Sequence, residues 1–203
     1  MLNREMRQIL QAVAHFYDQR KVGDVGNLGF RRSTDLTRLA ACLDRLIDQE
    51  ILIPRKSLFL DMGCADGRVN VLLSYMVKVS VGIELNEWIL DEYLGLRKNL
   101  EAILKEENLL LPPDNTFLFH GNSMDDALHE SITRETGVRF DEFDLFYTYL
   151  TMQEEFAGLI ARKARKGSVF MVYGLEKILP QFDGLRLLTE RPLEDILALY
   201  QKE

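Results

Sequence analysis

The sequence predicts an α/β fold: a mostly parallel sheet of seven strands flanked by helices, with a helical extension in front. Three observations carry that expectation. Apolar strand segments alternate with helical segments five times, the order that right-handed βαβ crossovers and a parallel sheet require. Two further strand segments then close the chain without a helix between them. The first strand runs directly into a glycine-containing turn that opens a helix, the place where open α/β sheets bind ligands. The chain of 203 residues is 47% hydrophobic and 28% charged. Those values exclude collagen-like, disordered and disulfide-scaffold classes. A chain this long buries roughly 70% of its unfolded surface, so it needs no metal or disulfide to hold it together.

The elements follow in order. Residues 2–19 place Leu2, Met6, Ile9, Leu10, Val13, Phe16 and Tyr17 at helical spacing. Residues 22–29 read as a glycine-rich loop. Ser33 or Thr34 is expected to cap a second amphipathic helix, with Leu36, Leu39, Leu43, Leu46 and Ile47 on one face. Residues 57–62 read as a strand and 67–76 as a helix. Residues 78–85 are a strand rich in valine and isoleucine, and Asn86 can cap one long helix from 87 to about 107. The Pro112-Pro113-Asp114-Asn115 stretch is a break. Residues 116–120 form a strand, and the polar run to Thr136 contains a weak helix. Residues 143–149 are a strand, 153–165 a helix and 168–173 a strand. Residues 185–189 and 195–201 are the closing strands, with a Glu-Arg-Pro turn between them. The division expected is a helical cap over 1–53 and one ligand-binding domain over 54–203.

Charge and cysteine content narrow the partners. Twenty-five basic and 32 acidic residues give a net charge of −7. Nucleic acid is disfavoured, because its binders show a basic footprint, whereas a basic partner is suited. Cys42 and Cys64 share no CxxC and no Cys/His cluster, which predicts free thiols in a reducing cytoplasm. No stretch approaches 18 apolar residues, so no membrane helix is expected. Arg4, Glu5 and Arg7 break any signal-peptide layout. No metal site is expected, since His15, His120 and His129 lack ligand spacing and suit surface or strand-edge roles.

The chemistry concentrates in Asp61-Met-Gly63-Cys64-Ala65-Asp66-Gly67-Arg68. Gly63 permits a sharp turn and a close ligand. The dinucleotide pattern G-x-G-x-x-G fails, because Ala65 and Arg68 occupy its second and third glycine positions. Asp61 would repel a pyrophosphate and suits a cation instead. The ammonium and sulfonium of S-adenosylmethionine meet that demand. Glu84 ends the second strand 21 residues after Gly63, where an acid commonly accepts ribose hydroxyls. Leu85 can cover one face of an adenine. Gly121-Asn122-Ser123-Met124 places a side-chain amide at the adenine edge. Gly82 is expected to be a packing glycine that lets strand and loop approach.

From about residue 54 onward these motifs resemble the class I S-adenosylmethionine-dependent methyltransferases, including Lys166-Gly167-Ser168 before the fifth strand and the closing strand pair. The 61–69 and 81–88 segments are most similar to a group of protein-lysine methyltransferases with archaeal and mitochondrial members. Ala65 and Asn122 stand where that group has Gly and Asp. The resemblance implies that S-adenosylmethionine contacts Asp61, Gly63, Cys64, Ala65, Gly67, Glu84, Leu85, Asn122, Ser123 and Met124. The group also has an aromatic-containing stretch ahead of the domain, which Phe30-Arg-Arg-Ser33-Thr34 is similar to, so Phe30 and Ser33 join the expected cofactor contacts. Tyr147 and Tyr149, ending the fourth strand, are the expected acceptor-orienting residues, with Glu154 and Glu155 as nearby acids. Trp88 is expected to pack the long helix on the sheet. Arg162, Lys163, Arg165 and Lys166 suit a solvated helix end. The activity implied is N-methylation of a protein lysine. Methylation of a small molecule or RNA by the same fold is one alternative, and a non-catalytic cofactor-binding module is another.

Overall fold

The chain enters through α1 (Arg4–Asp18), a hairpin of β1 (Val22–Gly26) and β2 (Gly29–Arg31), and α2 (Leu36–Asp48) in the computed structural model, which describes residues 1–20, 22–26, 29–31, 33–175 and 178–203. The region read as a glycine-rich loop is thus an antiparallel pair, with Val22 opposite Arg31 and Gly26 opposite Gly29. Val22 anchors it by burial. The cap of α2 also differs from expectation. Asp35, not Ser33 or Thr34, accepts the Arg38 N–H at 2.9 Å. Asp18, at the end of α1, reinforces it by accepting the N–H groups of Leu36 at 2.8 Å and Thr37 at 3.0 Å. A carboxylate suits the positive end of a helix better than a hydroxyl.

The main sheet follows: β3 (Leu58–Met62), α3 (Arg68–Ser74), β4 (Val79–Glu84), α4 (Glu87–Leu90), α5 (Glu92–Glu106), β5 (Thr116–His120), α6 (Asp126–Thr136), β6 (Leu145–Tyr149), α7 (Gln153–Lys163), β7 (Val169–Tyr173), β8 (Leu185–Leu187) and β9 (Leu197–Lys202). Its strand order is β5-β4-β3-β6-β7-β9-β8. Strands β3 to β7 are parallel, and β9 runs antiparallel to both β7 and β8. The chain therefore builds outward from β3 to β5, then crosses back to place β6 on the other side of β3. That reversal opens a crevice beyond the carboxyl ends of β3 and β6.

Strict alternation along the strands fills two cores. Phe59, Leu145, Tyr147, Met171 and Leu199 face α1, α2, α3 and α5. Leu60, Met62, Phe146, Phe170 and Ala198 face α6 and α7. The first two helices belong to the former core: Ile9, Leu10, Val13, Leu39 and Leu43 are buried in it. No helix among the described residues is long and apolar enough to cross a membrane. Both cysteines are unbonded and buried.

Several local expectations are corrected. The long helix splits at Asp91, whose N–H is shared between the carbonyls of Glu87 and Ile89, and Asn86 makes no side-chain cap. Trp88 is 50% exposed, so Ile89 rather than Trp88 docks this turn. His129 is buried against Phe140, with ring centroids 4.5 Å apart. The basic end of α7 is partly paired, Lys163 with Asp126 and Arg165 with Asp144. Gly82 is a packing glycine as expected: a Cβ there would lie 2.6 Å from Leu118, 2.7 Å from Asn70 and 2.8 Å from Cys64.

Candidate active site

A cleft of about 500 Å³ lies at the strand ends where the chain reverses. Asp61, Gly63, Cys64, Ala65, Glu84, Leu85, Asn122, Ser123, Tyr147, Tyr149 and Ser33 all line it, so residues spread over more than a hundred positions meet at one site. Among the predicted residues, Gly67 and Met124 do not line it. The Phe30 side chain lies outside the described residues.

The loop after β3 is fixed by its backbone. The N–H groups of Gly63 and Cys64 both donate to the Ile83 carbonyl at 2.9 Å. Gly63 has φ of +109°, and a Cβ placed on it would meet nothing within 4 Å. Open space beside a bare backbone is what a closely approaching ligand requires. Gly67 does different work. It starts α3 at φ +75°, and a Cβ there would lie 2.7 Å from Leu118 and 2.9 Å from Tyr93. Ala65, between them, holds φ of +51° without being glycine.

Two buried carboxylates define the electrostatics. Asp61 sits on β3 opposite Tyr147, and Glu84 ends β4. Glu84 is aimed by the N–H groups of Ala65 at 2.9 Å and Asn86 at 3.0 Å. Burial pushes the Cys64 thiol well up, and the charges of Asp61, Glu84 and Asp66 push it further. Cys64 is therefore a protonated thiol, unsuited to nucleophilic work. The same field favours a cation in the cleft and opposes a pyrophosphate.

Across the cleft the loop after β5 is held by side chains. Asn122 Oδ1 accepts the Met124 N–H at 2.9 Å, folding the loop on itself. His129 Nε2 donates to the Ser123 carbonyl at 2.9 Å. Burial holds the His129 pKa below its usual range.

The two tyrosines separate. Tyr147 is 1% exposed, and its hydroxyl shares a 2.6 Å hydrogen bond with Thr34 Oγ1. Burial raises its phenol well above the usual range, with Asp61 adding to the shift. Tyr149 is half-buried, with its ring 5.4 Å from that of Tyr173. Beyond it, Leu150 at φ +47° and Met152 at φ +50° form a left-handed turn on the cleft wall, two non-glycine residues in a costly region. Glu154 and Glu155 are exposed and do not line the cleft.

Sequence reasoning missed Thr34, Arg68, Thr148, Leu150, Thr151, Met152 and Phe156 as lining residues. Arg68 and Thr34 stand inside stretches singled out in the sequence, and Thr148 between the two tyrosines, so their positions were available; nothing local marks Leu150, Thr151, Met152 or Phe156.

No protein-family model matches the chain, and no curated protein matches it by sequence. Solved structures do. The rRNA methyltransferase aviRa from Streptomyces viridochromogenes superposes with a TM-score of 0.57 at 12% identity, over 98% of this chain and 94% of that one. The RNA methyltransferase from Salinibacter ruber, in complex with S-adenosyl-L-homocysteine, gives 0.50 at 15% identity, over 85% and 92%. The Escherichia coli protein yhhF gives 0.51 at 14% identity, over 90% of each chain. These likenesses establish the fold alone, a Rossmann-like seven-stranded sheet flanked by helices.

Proposed function

We propose that the chain is an S-adenosylmethionine-dependent methyltransferase. One observation carries the reading: two buried carboxylates, Asp61 and Glu84, end adjacent strands on either side of the bare Gly63 backbone, in a cleft at the sheet's reversal. The fit is chemical as well as geometric, since the negative field that raises Cys64 suits a sulfonium and an ammonium. The fold shared with solved methyltransferases supports it.

When bound, the cofactor supplies an electrophilic methyl carbon. The protein's part is alignment, which can contribute several kcal/mol. Asp61 would hold the ammonium, Glu84 the ribose hydroxyls, Leu85 one adenine face, and the 121–124 loop the adenine edge. Gly63, Cys64 and Ala65 present backbone. Tyr149 points the acceptor nitrogen, and Tyr147 holds Thr34 at the cleft wall. Leu150 and Phe156 supply the apolar wall there. For an amine acceptor with an ordinary pKa of about 10.4, desolvation at that wall would favour the neutral form, while the carboxylates Asp61 and Glu84 would oppose it.

Two acceptor classes have support. RNA is favoured by the solved structures described as RNA methyltransferases. A basic protein segment, a lysine within it, is favoured by the −7 charge and by exposed Glu154 and Glu155 near the acceptor end. Radiolabelled methyl transfer into a fractionated lysate, followed by nuclease or protease, separates them. Label released by nuclease assigns RNA, and label released by protease assigns a protein. Label in neither, with cofactor bound by calorimetry, assigns a small molecule or the non-catalytic module. Absence of binding by both S-adenosylmethionine and S-adenosylhomocysteine would refute the reading itself.

A further inference from the structure

Asp66 is fully buried in the middle of the loop that lines the cleft, between the left-handed residues Ala65 and Gly67. Arg68, 2% exposed, grips it with Nε at 3.0 Å and Nη2 at 2.9 Å, a two-pronged charge-assisted pair. The third guanidinium nitrogen, Nη1, donates to Ser33 Oγ at 3.1 Å. The guanidinium also lies over the Tyr17 ring, 5.6 Å from its centroid. On the outer side, Arg20 Nε stands 3.6 Å from Asp66 Oδ2, while Arg20 Nη2 meets Glu92 at 2.5 Å. Two arginines therefore reach one carboxylate, and Ser33, Tyr17 and Glu92 hold the arginines in place.

From this we infer that Arg20 is a positioning residue for the cleft, acting through Asp66 and Arg68 on the 63–67 loop and on Ser33. The inference rests on the proposed function only for what the cleft binds. Physically, Asp66 is a buried charge whose partners come from both sides of the loop. The guanidinium of Arg68 reaches it from the start of α3, the helix the loop runs into, and is itself held by Ser33 and Tyr17. Arg20, two residues past α1, adds a second tie that joins the same carboxylate to Glu92 of α5. Loss of Arg20 leaves the Asp66–Arg68 pair made but lets the loop shift relative to Glu84, whose carboxylate receives the Ala65 N–H. Arg20 does not line the cleft, so it acts at a distance from any ligand there.

The test uses the full chain carrying Arg20→Met, with Glu92→Gln as the milder variant and Arg20→Lys as the conservative one. Calorimetry with S-adenosylhomocysteine is run well below each melting temperature. Amide exchange of residues 63–67 is followed in parallel. Arg20→Met is expected to weaken binding about tenfold and to speed exchange in the loop while the melt stays cooperative. Glu92→Gln should do the same to a smaller extent, and Arg20→Lys should restore most of the loss. A merely structural role would lower the melting temperature and leave both affinity and loop exchange unchanged, which would overturn the inference. If the unaltered protein binds neither form of the cofactor, the functional reading fails. Loop exchange then still decides the positioning role by the same criterion. Should Arg20→Met not fold, Glu92→Gln decides alone, by the same two readouts.

Discussion

The two sides of the cleft are built on different principles. On the β3–β4 side, Gly63, Cys64, Ala65 and Asn86 are fixed through main-chain N–H groups, which donate to the Ile83 carbonyl or to Glu84. On the β6 side, the wall consists of side chains: Tyr147 bonded to Thr34, Tyr149 beside Tyr173, and the left-handed turn of Leu150 and Met152. The two bonds to the Ile83 carbonyl hold whatever the side chains are, and the other two need only Glu84, so the first side depends on a few special residues at fixed spacing. The second side depends on packing, where shape can change without changing the fold. That is the division expected if one side meets an invariant cofactor and the other a particular acceptor.

The largest effect that could break this comparison is at Glu84. Glu84→Ala removes the acceptor for two loop N–H groups as well as the charge in the cleft. Cofactor affinity should fall about a hundredfold, in line with about 1.5–3 kcal/mol per hydrogen bond to a charged group. Calorimetry measures it, and binding within threefold of the unaltered protein would mean that the cofactor does not rest on this side.

The tyrosines come next, and they sharpen the contrast. Tyr149→Phe should leave thermal stability unchanged and slow methyl transfer about tenfold or more. Tyr147→Phe leaves Thr34 Oγ1 without its partner in a buried place, and should cost about 1–3 kcal/mol of stability. Paired melting curves and saturating-cofactor rates discriminate them. Equal stability loss in both would place the two side chains in the same role.

A smaller effect concerns the β5 loop. Burial holds the His129 pKa below the ordinary 6.5. The unfolded chain therefore takes up its proton first as pH falls. The contribution of His129 to stability is complete above about pH 6.5 and is lost progressively below it, toward the depressed folded-state pKa. Urea titrations at several pH values should show this slope, and His129→Gln should flatten it.

The smallest effect is at Ala65, where φ is +51°. Ala65→Gly relieves a left-handed alanine worth about 1–2 kcal/mol, offset by about 0.5–1 kcal/mol of added chain entropy. A gain in stability of up to about 1.5 kcal/mol, read by urea titration, is expected with cofactor affinity unchanged.

Much of this was legible before folding. The five-fold alternation and closing strand pair predicted the sheet, because period and breaker residues are local signals. Asp61, Gly63 and Glu84 were legible because a strand end, a turn glycine and a second strand end are each marked in sequence. The β1–β2 hairpin was not, since a glycine-rich run is compatible with loop and turn alike. Trp88 was misplaced because a helix that breaks at Asp91 presents a different face from an unbroken one. Tyr147 and Tyr149 read as equivalent because they share one face of β6.

By itself the sequence determined the order of elements along the chain and most of the residues whose backbone or charge meets the cleft, whereas the spatial order of the strands, and with it the reversal, came only with the structure. The tertiary structure alone decided what Ser33 and Thr34 do. Read locally, both hydroxyls suit a helix cap. In the fold Asp35 and Asp18 take that work, Ser33 turns to Arg68 across 35 positions, and Thr34 to Tyr147 across 113. Such partners leave no periodic or neighbouring trace, because a hydrogen bond between distant residues exists only once packing has brought them within reach.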